Sequence, residues 1–141
     1  MIQSIINGIC EQLDKAFGKG YKIYTEAVRQ GLSEPCFFVQ LRNHSSTREM
    51  KNKFNRPGMF EITYFPSTKE PNAECYRALE ALYLALEYIT VDGSAVRGIG
   101  ARGEVNDGIL YFNINYDLRV MVDEEAEPME ILEKPNITQK G

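Results

Sequence analysis

Residues 109–122 read Ile-Leu-Tyr-Phe-Asn-Ile-Asn-Tyr-Asp-Leu-Arg-Val-Met-Val. Leu110, Phe112, Ile114, Tyr116, Leu118, Val120 and Val122 take every second place, and Asn113, Asn115, Asp117 and Arg119 fall between them. Successive side chains of a strand point to opposite faces, so this spacing predicts a long half-buried strand with one unbroken apolar face. At about 3.3 Å per residue it would reach roughly 45 Å, well beyond the usual five or six residues. Such a strand is expected to bend, carry a bulge or project past its own domain, and a projecting strand needs a partner.

Moving outward from it, Asp92-Gly93 and Asp107-Gly108 each lie between apolar flanks, the short signal for a tight hairpin turn with positive φ. They predict strands near 88–91, 94–98 and 101–106 that lead into the long one. Ahead of these, Cys75, Leu79, Leu82, Leu86 and Ile89 recur at helical steps. That stripe predicts a helix opened by Pro71 or Asn72, with Glu74, Arg77, Glu80 and Glu87 facing water. Ile2, Ile5, Ile6, Ile9, Leu13 and Phe17 form an earlier stripe of the same kind, stopped by Gly18 and Gly20. Further strands are expected at 21–26, 36–41 and 59–65. The one at 36–41, Cys-Phe-Phe-Val-Gln-Leu, is apolar on both faces and calls for cover on both, by helices on one and a neighbouring subunit on the other. The order is then α-β-β-β-α-β-β-β, an α+β fold with two helices packed on an antiparallel-rich mixed sheet. No internal repeat is visible.

Two segments stand apart from this pattern. Residues 42–57 carry Arg42, Arg48, Lys51, Lys53 and Arg56 against Glu49 alone, and they would form the tip of a long β-hairpin arm. A polar connection of that length is expected to be a solvated loop, an arm docking on an acidic neighbour, or a contact for a nucleic-acid backbone. Residues 123–133 hold six acids and no base, too little apolar surface to order alone, although Met129, Ile131 and Leu132 leave room for folding on a partner. The expected division is therefore a single α+β domain over 1–122 and an acidic, flexible C-terminal tail over 123–141.

Composition narrows the function classes. The 16 basic and 20 acidic residues give a net charge of −4, which argues against a dedicated binder of nucleic acid or anionic membrane. No apolar run approaches the ~20 residues needed to cross a bilayer, and Met1-Ile2-Gln3-Ser4 lacks the pattern of a signal peptide, so synthesis in the cytoplasm is expected. Cys10, Cys36 and Cys75 fit no metal-ligand spacing and read as reduced core residues. Gly98-Ile99-Gly100-Ala101-Arg102-Gly103 has the spacing of a dinucleotide fingerprint. The chain continues from it as Glu104-Val105-Asn106-Asp107-Gly108, a strand and a turn, so no helix N-terminus is there to hold a pyrophosphate. A glycine-rich bend or a close approach of two backbones explains it better. His44, the one histidine, reads as a loop residue, and no carboxylate pair stands out for acid/base work. No catalytic residue, cofactor or metal is expected.

The stretches Glu34-Pro35-Cys36-Phe37-Phe38, Tyr64-Phe65-Pro66, Leu86-Glu87-Tyr88-Ile89, Val91-Asp92-Gly93 and Asn115-Tyr116-Asp117 resemble the tail terminator proteins of tailed bacteriophages and prophages, in the form common in Gram-positive hosts. The resemblance runs from about Met1 to Met129. It implies a non-enzymatic structural protein of the virion, made in the host cytoplasm and placed at the head-proximal end of the tail. There a homo-oligomeric ring, usually a hexamer, caps the tail tube, stops its polymerisation and offers the surface for head–tail joining. The implied partners are other copies, the tail tube protein and the head–tail connector or neck proteins, with DNA only as passing cargo and no membrane.

A ring needs heterologous contacts. A basic arm tip (Arg48, Lys51, Lys53, Arg56) meeting acidic Glu124, Glu125 and Glu127 of the next subunit is one way to set their register. Exposed pairs contribute only ~0.2–1 kcal/mol each, so apolar contacts would have to supply most of the affinity. The alternatives are a neck or head-completion protein of the same virion and, more distantly, a small DNA-binding protein acting through 42–56.

Overall fold

A computed structural model of the chain describes residues 1–27 and 31–122. The elements are α1 (Ile2–Phe17), β1 (Lys22–Tyr24), β2 (Cys36–His44), β3 (Thr47–Met50), β4 (Lys53–Phe65), α2 (Pro71–Ala85), β5 (Tyr88–Val91), β6 (Ser94–Asn106) and β7 (Ile109–Met121). The expected order of helices and strands is present, with the short β3 added inside the 42–57 connection. All seven strands join one mixed, curled sheet in the order β1-β2-β4-β7-β6-β5, and β3 pairs with β4 where β2 has ended. Only the β1–β2 pairing is parallel.

The strand at 109–122 is the spine of this sheet. It pairs with β4 from Leu110–Tyr64 to Met121–Lys53, twelve residue pairs in unbroken register. Its alternate residues Leu110, Phe112, Ile114 and Tyr116 are buried under the helices, as the periodicity requires. Against them pack Ile5, Ile9 and Leu13 of α1, Cys75, Ala78 and Leu82 of α2, and Phe37, Val39, Phe60, Ile62 and Tyr64 of the neighbouring strands. Ile89, expected as the last residue of the second helical stripe, belongs instead to β5, because the helix stops at Ala85. Burying these side chains is the main stabilising term, at roughly 1.5–3 kcal/mol for each large aliphatic or aromatic group.

Both Asp-Gly turns form as expected. Asp92 and Gly93 have φ of 50° and 83°, and Asp107 and Gly108 have 53° and 74°, positive at both central positions of each two-residue hairpin. The glycine-rich run lies within β6 rather than at a helix start. Its register with β7 shifts between Ile99 and Arg102, where Gly100 has a φ of 67°. The segments 94–98 and 101–106 are thus one strand bent by a bulge, whose first part pairs with β5 and whose remainder pairs with β7.

One expectation changes. The connection 42–57 is mostly strand: β2 runs on to His44, β3 spans Thr47–Met50, and β4 starts at Lys53. The reason is that Phe54, Arg56 and Gly58 continue the buried alternation of β4, and β7 extends far enough to pair with them. One face of 36–41 has the helix cover expected of it. The helices lie on the Phe37 and Val39 side, while Phe38 on the other side is half-buried within the sheet.

Candidate assembly surface

Beyond the helices the sheet narrows to an arm. β2 reaches its last pairing with β4 at Gly58, and β6 reaches its last pairing with β7 at Tyr116. Past those points β3, β4 and β7 continue alone, through Thr47–Met50, 53–57 and 117–121. The arm has a small core of its own in Phe54, Val120 and Val122, against which Met1 packs. Two guanidinium groups complete it, with the Arg48 and Arg56 central carbons 4.9 Å and 5.6 Å from the Phe54 ring centre. Arg56 is only 1% exposed, and its Nε donates to Ser46 Oγ at 3.1 Å. Desolvation lowers its pKa from the usual arginine value. Arg119 braces the outer face, donating from Nε and Nη2 to the Glu49 carboxylate at 2.9 Å and 3.4 Å.

The four arm cations expected as a partner contact therefore divide. Arg56 is buried and Arg48 is half-buried, donating to the Lys51 carbonyl while it covers Phe54. Lys51 and Lys53 are exposed at the distal end. Glu124, Glu125 and Glu127 lie outside the described residues. His44 closes β2 as a half-buried strand residue rather than a loop residue. Burial first, then the charge of Arg56, keeps its pKa below the ordinary histidine value.

The part of this surface that sequence reasoning missed is apolar. Met50 pairs with Lys53, which pairs with Met121, so these three side chains form one row across the arm's end. Met50 is 61% exposed and Met121 62%. A second exposed patch lies on α2, where Tyr76, Glu80, Tyr83 and Leu84 share one flank and Leu84 is 81% exposed. The signal was present as apolar residues standing off the Cys75–Leu79–Leu82–Leu86 stripe.

The face of the sheet turned away from the helices carries a polar row of mixed charge. It reads Gln40, Glu61, Asn113, Arg102. Gln40 donates to Glu61 at 3.4 Å, Arg42 lies 3.9 Å from the same carboxylate, and Arg102 reaches Met59 Sδ at 3.4 Å.

One cleft, of about 290 Å³, opens between the end of α1 and the start of α2, with Phe17, Tyr21 and Tyr64 on its walls. Glu74, expected to face water, is turned into it. Its carboxylate accepts from Tyr64 Oη and from the backbone amides of Ser67 at 3.3 Å and Thr68 at 3.2 Å. Desolvation pushes its pKa up, but the hydrogen bonds together outweigh that and hold it below the usual glutamate value. With its oxygens so engaged, this carboxylate serves as a staple between the loop and α2. Among the described residues no three His, Cys, Asp or Glu side chains gather as a metal site requires, and no helix is long and apolar enough to cross a membrane.

A family model described as phage tail terminator protein matches residues 4–128. No curated protein matches the chain. One solved structure, of a protein without a descriptive name, overlays 89% of this chain and 99% of its own, with 11% identity and a TM-score of 0.48.

Proposed function

The chain belongs to the phage tail terminator family and is a structural protein of the phage tail rather than an enzyme, and from that premise we propose that its copies close into a ring, six-fold, on the end of the tail tube. The ring halts tube polymerisation and presents the surface onto which the head-side neck proteins dock. DNA passes through it as cargo, and a chain of net charge −4 offers that polyanion little to hold.

The observation that best supports the ring is the arm. A three-stranded projection with its own small core and an exposed, apolar and basic end extends past the helices, a shape suited to reaching a neighbouring subunit. The contact would be heterologous, one patch meeting a different patch, which is the kind that generates rings. Of the charges first expected at this contact, Lys51 and Lys53 are exposed where a partner could meet them. Glu124, Glu125 and Glu127 of the next subunit are proposed as the counterparts of Lys51. Arg48 and Arg56 contribute by holding the arm's shape.

The test is the native mass of the purified chain over a concentration series, with and without tail tubes. A six-fold species, or a monomer that becomes a ring only on tubes, is the expected result. A stable monomer or dimer that ignores tubes but co-purifies with portal or adaptor proteins would overturn it in favour of a neck protein.

A further inference from the structure

We infer that the end of the arm docks on the exposed flank of α2 of a second copy of this chain, with Met50 and Met121 against Tyr76, Tyr83 and Leu84, and Lys53 against Glu80. The inference rests on the ring reading and names the two surfaces that meet in it.

The two patches are complementary in kind. At the arm's end a lysine stands between two exposed methionines in one cross-strand row. On α2 an acid stands between exposed aromatic and aliphatic side chains, because Tyr76, Glu80, Tyr83 and Leu84 fall at steps of four, three and one along one flank. The opposite side of the helix, Cys75, Ala78 and Leu82, is already spent on the core. Methionine is unbranched and polarizable, adapts to irregular surfaces and makes favourable contacts with aromatic rings, which suits an arm that must seat on a neighbour. Tyrosine is among the residues enriched at interface centres, and a charge pair at the edge of such a patch fixes orientation more than it adds affinity. The two patches lie on different parts of the fold, so a head-to-tail union of them repeats from copy to copy.

The experiment uses the full chain with tail tubes and reads the midpoint concentration for assembly by native mass. Lys53→Glu alone and Glu80→Lys alone each place like charges together and are expected to raise that midpoint about tenfold, and the double reversal is expected to recover most of it. Leu84→Ser should raise it as well. All the positions substituted lie on the surface, so an unchanged thermal midpoint of the monomer shows that folding is intact. Wild-type assembly with single variants that have no effect, or with a double reversal that fails to recover, overturns the docking but leaves the ring standing. Variants that lose tube binding while still self-associating would assign the arm to the tube protein and likewise overturn it. A wild-type chain that assembles neither alone nor on tubes removes the ring and this contact together.

Discussion

At Gly98 a Cβ would stand 2.3 Å from Ile114 Cδ1, 2.9 Å from its Cγ1 and 3.0 Å from the Leu86 carbonyl oxygen. The same place is pinned by Gly98 N donating to Glu87 O at 2.7 Å and by the buried Tyr116 hydroxyl donating to Leu86 O at 2.5 Å. Gly98→Ala should therefore cost about 1–3 kcal/mol in urea unfolding, the range for overpacking. Ile114→Val in that background, which removes the clashing Cδ1, should return part of the loss. Glu74 makes a pH-dependent prediction. Its folded pKa lies below the unfolded value of about 4.3, so its stabilisation is fully present above that pH and is lost as pH falls through the folded value. Glu74→Gln should lower stability at pH 7 and flatten its fall between about pH 5 and pH 3 in the same unfolding assay. The glycine spacing at 98–103 could be read correctly from sequence, since no helix comes after it. The role of Glu74 could not, because its hydroxyl partner Tyr64 belongs to a different element.

The arm is the element whose stability stands most apart. Its core is Phe54, Val120 and Val122, separate from the main cluster, so its opening need not unfold the sheet. Phe54→Ala should cost about 3 kcal/mol, the low end for such a truncation, and the loss should fall on the arm. Amides of 47–57 and 117–121 are then expected to exchange hydrogen roughly a hundredfold faster while those of Phe60, Ile62 and Phe112 hold their rates. β7 was legible because its apolar face is built from aliphatic and aromatic side chains with no charge among them. The opening half of β4 was not, because Arg56 occupies a buried position and Arg48 lies over Phe54, so guanidinium groups and their stems do the covering that aliphatic residues do elsewhere. A polar composition thus hid a strand. The two exposed patches escaped for the opposite reason, since single apolar residues off a helical stripe are ordinary on protein surfaces until a fold shows them side by side.

For the whole molecule, a head-to-tail ring gives each subunit two contacts only once it closes. Native mass over the concentration series should then show monomer and closed ring with little dimer between them. The family resemblance, which ran from about Met1 to Met129, agrees closely with the match over residues 4–128. The geometry of the contact surfaces needed coordinates, because cross-strand neighbours such as Met50, Lys53 and Met121 are not all close in the chain. The twelve-residue ladder between β4 and β7 also has a mechanical meaning. Its hydrogen bonds lie across the strands, so tension directed along them loads every rung in shear at once, whereas tension at right angles would unzip them singly. A pull or push entering at the distal end of the arm along β7 is carried straight into the helix-covered half of the sheet. A structural component of a phage tail is thereby stiffest along the one direction in which its spine points.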